Sequence, residues 1–410
     1  QLSEEDWNTF IDYNIQDVNL LVRLEEKLQY MPLLRMLSYV GLTTLEGAMG
    51  TIQVINGALC IRARMRGEII STFVRAVEGK NPGAYVAEPK SGFKEHIISF
   101  DANSLYPNVM ISLNTSPETK IGKIDTIQDK VVIQHVSGKQ FSLDRPAFAK
   151  FLKDEDCALS KAGILFSQKK KGIMPEFLEY YINKRVVIKK KLFKCKQKLK
   201  KEPNNTELKY EVERLNTEQM VIKILINSCY GYMGNKRAPI GDDDIAASVT
   251  LTGQAVIKYS NILIKEYIKG RVPDISNYDL DQCIIYNDTD SSYASIAPLV
   301  KNDLVKFWDG EDIHQETYDE IQKIEDFLNE GINNWARKSL LTKDSRFIFK
   351  RECIADIGVF LQKKRYVMHI LDDEGIKENK FKYTGVEVVR TTMPNAIKPY
   401  AKKIIETMLT

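Results

Sequence analysis

Residues 283–296, CIIYNDTDSSYASI, hold two apolar runs of strand length separated by a cluster of Asn, Asp, Thr and Ser. Short apolar runs bounded by turn formers read as the two arms of a β-hairpin. Arms this apolar belong in a core, so the hairpin commits the chain to a buried sheet. It also carries two carboxylates, Asp288 and Asp290, at its tip. Two explanations stay open for them. Turn formers suit a tip, and acids there cost little when solvated. Alternatively, a pair of carboxylates at a tip can share a divalent cation with a third from a neighbouring strand.

A third carboxylate is available in ISFDANSLYPNVM, residues 98–110. Asp101 ends the apolar strand HIISFD (96–101), and Asn103 to Pro107 read as a tight turn into a helix. Backbone N–H groups at such a turn can hold phosphate oxygens.

Between these strand-rich stretches lie two long helices, from Pro175 to Lys200 and from Thr206 to Tyr230, broken by KEPNNT. Pro175 is well placed near a helix start. From Leu165 to Lys201 there are 13 Lys and Arg against two Glu, a local +11 in a chain whose net charge is +4. The segment is either a polyanion contact or a solvated helix face. Arg185 and Lys189, at i and i+4, share one face, and Lys223, Asn227 and Tyr230 form a stripe on the second helix. Three cations on two facing helices describe a clamp for a triphosphate. Lys223 is otherwise an exposed lysine, but KILINSCYGYMGN around it is mostly apolar, which calls for a partner.

The remaining elements follow from period and punctuation. Residues 3–30 read as an amphipathic helix that Ser3 could cap, and 50–78 as strands followed by a loop from Gly79 to Gly83. VVIQHV (131–136) and QFSL (140–143) read as a hairpin. Helices are expected over 244–269 and 315–339, then strands at IFKRECI, KKRYVMHIL and KFKYTGVEVV, and a last helix from Pro394. A length of 410 residues allows roughly two to four domains. The six cysteines lie at least 34 residues apart with no C-x-x-C pair, which argues against zinc and for a reducing compartment. There is no apolar run long enough to span a bilayer, and the acidic, polar start is unlike a signal peptide.

At this point the residues reach a resemblance. DANSLYP (101–107) resembles the D-x-x-S-L-Y-P palm motif of family B DNA polymerases. KILINSCYG (223–231) resembles their K-x-x-x-N-S-x-Y-G fingers motif, and YNDTDS (286–291) their Y-x-D-T-D-S motif, in the family order. KKRY (363–366) is similar to a primer-side motif, and Glu352 in KRECI to an acidic position near the metals. YNIQD, with Tyr13 and Asp17, resembles the last exonuclease motif. The likeness runs over nearly the whole chain and is to polymerases of the T-even-like phage kind. Asn287 departs from a common Gly, Asn108 from a common Ser, and Ser292 from a usual apolar residue.

The resemblance implies an α+β fold, a palm whose antiparallel sheet packs on helices, with an inserted two-helix fingers hairpin. The implied domains are an exonuclease tail (1–29), part of an N-terminal-type domain or linker (30–72), palm (73–170 and 236–400), fingers (171–235) and the start of a thumb (401–410). Such a chain would be an internal piece, a cloned fragment or half of a split polymerase, without proofreading or a thumb.

The implied activity is template-directed transfer from a dNTP to a primer 3′-hydroxyl, with pyrophosphate leaving. Two Mg²⁺ ions about 3.5–4 Å apart, or Mn²⁺, would be held by Asp101, Ala102 and Asp290, with Asp288 close by. Arg185, Lys189, Lys223, Asn227 and the turn Ser104, Leu105 and Tyr106 would bind the nucleotide, Tyr106 excluding a 2′-hydroxyl by bulk. Tyr230 and Gly231 would line the nascent base pair. Lys363, Lys364, Arg365 and Tyr366 would contact primer-template DNA. Further implied partners are complementary polymerase chains and a sliding clamp, in the cytoplasm (of a host, if viral) and not at a membrane.

Rival readings remain. Reverse transcriptases and RNA-dependent polymerases also place paired acids on a hairpin, but adjacent ones, whereas Thr289 intervenes here. A DNA-binding module without catalysis is another. A two-metal nuclease needs no triphosphate clamp.

Overall fold

A computed structural model describes residues 6–70, 82–127 and 130–409. The chain forms two compact units, Gln1–Glu78 with Ile173–Asp243, and Gly79–Gly172 with Asp244–Thr410.

The described residues of the first unit hold helices and no strand. Its opening helix, Trp7–Leu28, is capped by Asp6, whose carboxylate accepts from the N–H groups of Asn8 and Thr9 at 3.1 and 3.2 Å. Ser3, the cap expected from sequence, lies outside the described residues. Helices Tyr30–Gly41, Leu45–Ala48 and Thr51–Met65 follow. The last of these corrects the strand expectation over 50–78. Val54, Ile55, Ala58, Leu59 and Ala63 are all buried, a helical stripe rather than an alternating one. Tertiary burial overrides the β-propensity of Thr, Ile and Val there. Residues 71–78 of that stretch, and 79–81 of the expected loop, lie outside the described residues. Glycine lets the Tyr30–Gly41 and Thr51–Met65 helices touch by their backbones, since a methyl at Gly57 would lie 1.7 Å from the Gly41 carbonyl oxygen.

Two longer helices complete this unit, Ile173–Lys201 and Thr206–Met233, the second capped by Asn205, which accepts from Leu208 N–H at 3.1 Å. A short link and the Lys184–Glu218 ion pair at 3.3 Å set them antiparallel. Leu215, Val221, Ile222, Leu225, Ile226, Cys229 and Tyr232 form the buried face of the second helix. The Tyr232 hydroxyl donates to Asn56 at 3.3 Å, and the Arg62 guanidinium lies 3.7 Å above the Tyr180 ring.

The second unit is mixed α/β with antiparallel sheets. Its described strands are β1 (Gly92–Ala102), β2 (Lys120–Ile127), β3 (Lys130–His135), β4 (Gln140–Leu143), β5 (Cys157–Leu159), β6 (Ile164–Ser167), β7 (Ile284–Asp288), β8 (Ser291–Ser295), β9 (Phe349–Gln362), β10 (Arg365–Asp373) and β11 (Ile376–Thr384). One sheet runs β11-β10-β9-β1-β8-β7 and the other β4-β3-β2-β6-β5. β1 lies inside the larger sheet, which explains why Ile97, Ile98, Ser99 and Phe100 are buried in succession. A core of Ile97, Ile285, Tyr286, Tyr293, Phe360, Tyr366, Met368 and neighbours packs on this sheet. Helix Asp243–Arg271 meets β8 where the Ser260 and Ser292 hydroxyls lie 3.1 Å apart. Helix Gln315–Ser339 meets β9 through Asn329, whose amide donates to Phe349 carbonyl (3.0 Å) and accepts from its N–H (2.7 Å).

Three boundaries differ from the sequence expectation. KFKYTGVEVV leaves the sheet at Thr384 because Gly385 turns at φ 62°, and a methyl on it would strike the Lys364 carbonyl oxygen at 2.0 Å. Lys363 and Lys364 form the β9–β10 turn, with Lys364 at φ 58°, instead of joining the strand. The final helix is Lys398–Leu409, so its start signal is Pro399, not Pro394.

Candidate active site

The pairing of β1 with β8 sets Asp101 opposite Ser291. One residue further, Ala102 N–H donates to the Asp290 carbonyl at 2.9 Å, bringing the two aspartates to adjacent strand ends. The Ser291 hydroxyl donates to Asp101 Oδ1 at 3.2 Å. The β7–β8 turn is tight. Thr289 lies at φ 61°, Asp290 N–H donates to Asp288 carbonyl at 2.7 Å, and Thr289 N–H to Tyr85 carbonyl at 3.0 Å.

Burial and mutual repulsion mark the pair. Asp290 is pushed up to about 6, first by burial and then by the charges of Asp101, Asp288 and Glu352. Asp101 is also raised, by burial first and by Glu352 and Glu374, against the Ser291 hydrogen bond. Crowded carboxylates that destabilise one another are what a bound cation relieves. Among the described residues, no three His, Cys, Asp or Glu side chains are gathered so as to hold a metal by themselves. Mg²⁺ makes no such demand, since it takes one or two carboxylates and fills its sphere with water and substrate phosphates. Asp101 and Asp290 fit that pattern.

Glu352 is aimed by an irregularity. The β1–β9 register shifts between Ile98 and Phe100, and Ser99 faces Glu352 and Cys353 across the bulge. The Ser99 hydroxyl donates to Glu352 at 3.2 Å, and Lys382 reaches the other carboxylate oxygen at 3.4 Å.

The KKRY turn adjoins the tip. Lys364 ammonium lies 2.7 and 3.0 Å from the Asp288 oxygens. Lys363 pairs with Glu88 at 2.9 Å and Arg365 with Glu387 at 3.2 Å. Tyr366 does not face solvent. It is 5% exposed, with its hydroxyl 3.1 Å from that of Tyr293, so it supports the turn from beneath.

Beyond Asp101 the chain turns at Ser104, φ 49° and ψ 51°, into helix Leu105–Leu113, which no side chain caps. Leu105 is buried and Tyr106 half-buried. The Asn108 amide donates to Asn103 carbonyl at 2.7 Å and pins the turn. The other two departures from the family pattern, Asn287 and Ser292, are bonded to each other at 2.9 Å. Asn287 and Asn261 exchange amide hydrogen bonds at 2.8 and 3.1 Å, tying the acidic hairpin to helix Asp243–Arg271. Pattern reading from sequence missed this network, because its members are far apart in the chain.

In the helical unit, Arg185 is partly buried, which lowers its pKa, and it donates to Gln219 at 3.3 Å. Its buried Nε has no hydrogen-bond partner among the described residues. Lys189 is exposed one turn on. Lys223 and Asn227 are exposed and Tyr230 half-buried, on the side of their helix away from its buried face. The apolar surroundings of Lys223 are therefore that buried face, and the lysine points to solvent. Gly231 is exposed, and a methyl on it would meet nothing within 4 Å. Tyr13 and Asp17 lie exposed, one turn apart, on helix Trp7–Leu28.

Comparison with known proteins adds three findings. The model of the family described as DNA polymerase family B matches residues 47–410. The DNA-directed DNA polymerases of Escherichia phage RB69 and Enterobacteria phage T4 are each 25% identical over all of this chain and 49% of their own length. DNA polymerase 1 of Pyrococcus abyssi (strain GE5 / Orsay) is 26% identical over 82% of this chain and 33% of its own. The chain thus spans about half the length of the phage relatives. Among the described residues no helix is long and apolar enough to cross a membrane.

Proposed function

The chain belongs to DNA polymerase family B, and from that premise we propose that it extends DNA on a template, the primer 3′-oxygen attacking the α-phosphorus of a dNTP as pyrophosphate leaves. One observation carries this reading, the Ala102–Asp290 hydrogen bond at 2.9 Å that closes β1 onto the acidic hairpin. Asp101, Asp290 and the Ala102 carbonyl would hold Mg²⁺, which when bound activates the primer hydroxyl and neutralises charge on the phosphoryl oxygens.

The remaining roles belong to the chain's own groups. Phosphoryl transfer spreads negative charge over several oxygens, so positioned cations contribute as much as the acids. Arg185, Lys189 and Lys223, with Asn227, bind the triphosphate, and the turn at Ser104–Tyr106 adds backbone donors. Tyr106 is the sugar gate. Tyr230 and Gly231 line the nascent base pair. Lys363, Lys364 and Arg365 hold the primer-template backbone without reading sequence. On this reading residues 73–170 and 236–400 are the palm and 171–235 the fingers, a division supported by the change of unit after Gly172 and after Asp243.

Primer extension by Asp101→Asn and Asp290→Asn tests the core of it. Both variants should lose nucleotide addition and keep duplex binding, and unaltered turnover in both would sink the assignment. Removing Arg185, Lys189 or Lys223 should cost roughly ten- to a hundredfold in nucleotide use, as expected for charge-assisted phosphate contacts. Equal loss of duplex affinity instead would make these helices a plain DNA-binding face.

A further inference from the structure

The Tyr106 ring rests on a bare patch of helix Asp243–Arg271, and the patch is Gly253. A methyl there would lie 3.0 Å from Tyr106 Cε1, 3.3 Å from Cδ1 and 3.5 Å from Leu105 Cδ2. Gly253 is buried in the middle of a 29-residue helix, where glycine is the weakest helix former after proline. It does not have a positive φ, so no turn or cap demands it. What the missing side chain provides is a seat for the ring.

That seat is held firmly. Lys161 N–H donates to Thr252 Oγ1 at 3.1 Å, and the Ser160 and Ser248 hydroxyls lie 2.9 Å apart. Ser160 Oγ also accepts from Ile164 N–H at 3.1 Å, and Ser248 Oγ donates to Asp244 carbonyl at 2.6 Å. A methyl added at Gly253 would therefore press on the ring from a helix that is itself tied down. Carbon atoms prefer about 3.5–4.0 Å, so the ring would be pushed off the helix by roughly half an ångström.

We propose that Gly253 is a positioning residue for sugar selection: it sets how deeply the Tyr106 ring seats, and so how much room remains for the 2′ position of an incoming nucleotide. The inference rests on the reading of Tyr106 as the sugar gate. A deeper seat tolerates the deoxyribose and leaves the ring close enough to reject a hydroxyl. A raised ring narrows that space further.

The test is single-nucleotide primer extension with deoxy- and ribonucleotides on four proteins: unaltered, Gly253→Ala, Tyr106→Ala and the double variant. Gly253→Ala should raise the deoxy-to-ribo ratio of kcat/KM about tenfold, the low end of what one methyl of pocket room is worth. The change should appear mainly in KM for the ribonucleotide. In the Tyr106→Ala background the same substitution should leave the ratio unmoved. If Tyr106→Ala lowers the ratio and Gly253→Ala does nothing, the gate stands and this inference falls. If Tyr106→Ala itself does nothing, the gate reading falls. An equal effect of Gly253→Ala in both backgrounds would mean that it acts through the helix, against the inference. Should Gly253→Ala fail to fold, recovery of folding in the double variant would still show the ring to be the obstacle, whereas failure of both would make Gly253 a residue of the fold alone. Absence of extension by the unaltered chain would remove the reading of this chain as an active polymerase and this inference with it.

Discussion

Lys364 holds Asp288 in a two-pronged contact, its ammonium 2.7 and 3.0 Å from the two carboxylate oxygens, while its own N–H donates to the Tyr286 hydroxyl at 3.0 Å. The backbone is thereby fixed at the tip, and the side chain, 61% exposed, is free to exchange partners. A cation neutralises the first acid of the hairpin, which distinguishes Asp288 from Asp101 and Asp290. A DNA phosphate offers the same lysine an alternative anion. Exposed pairs contribute about 0–1 kcal/mol, so Lys364→Ala should leave the thermal midpoint nearly unchanged. Primer-template affinity should fall, and the salt dependence of binding should lose about one phosphate contact. Filter binding over a salt series checks this. An unchanged slope would mean that Lys364 stays on Asp288 throughout.

Asp290 gives a pH dependence with a definite sign. Its carboxyl is raised to about 6 by burial and then by Asp101. A carboxyl raised in the folded state contributes stability at low pH that is lost as pH rises through that value. Asp290→Asn should therefore raise the metal-free melting temperature at about pH 8 and change it little at about pH 4. Extension by the unaltered chain should decline as pH falls through about 6, because the ionised form binds metal. Melts in chelator at the two pH values, beside a pH–rate profile, check both. A variant less stable than the parent at the higher pH would show that Asp290 is not strained by its neighbours.

Half-buried Asn261 and buried Asn287 form a pair whose loss should be asymmetric. Asn287 is 1% exposed and bonds to Asn261 and to Ser292. Asn261→Ala leaves a buried amide short of a partner, at a cost of about 1–3 kcal/mol. Asn287→Gly restores the residue common in the family and removes that amide. The double variant should be more stable than the two single losses added together, with a coupling of roughly 0.5–3 kcal/mol. Denaturant melts of the four proteins measure it, and simple additivity would dissolve the network.

Much of this arrangement was legible in the residues. HIISFD and CIIYNDTDSSYASI read as strands because apolar runs end on turn formers, and the acids stand at those ends. The two long helices read from charge and a Pro-Asn break, close to their observed bounds. What escaped depends on partners distant in the chain. Lys364 and Asp288 are 76 positions apart, and only the order β9-β1-β8-β7 with the β9–β10 turn brings them together. The bulge at Ser99 exists only against β9. The β-branched residues at the start of Thr51–Met65 suit a strand until the buried spacing is known. The apolar residues around Lys223 suggest a buried lysine until the helix face that holds them is known.

Gly57 and Gly231 together test whether a structural glycine can be told from one kept for a ligand. At Gly57 a methyl would collide with the Gly41 carbonyl oxygen at 1.7 Å. Gly57→Ala should therefore destabilise by about 1–3 kcal/mol, as overpacking does. At Gly231 nothing lies within 4 Å of the added carbon, and the residue is exposed within helix Thr206–Met233. Alanine is the better helix former by roughly 0.5–1 kcal/mol, so Gly231→Ala should stabilise the chain slightly. A base pair packed on the bare backbone there would meet the new methyl, and extension should fall although the protein is more stable. Thermal melts and primer-extension rates on the same preparations decide it. A Gly231→Ala chain that gains stability and keeps full nucleotide addition would show that no substrate approaches this turn of the helix.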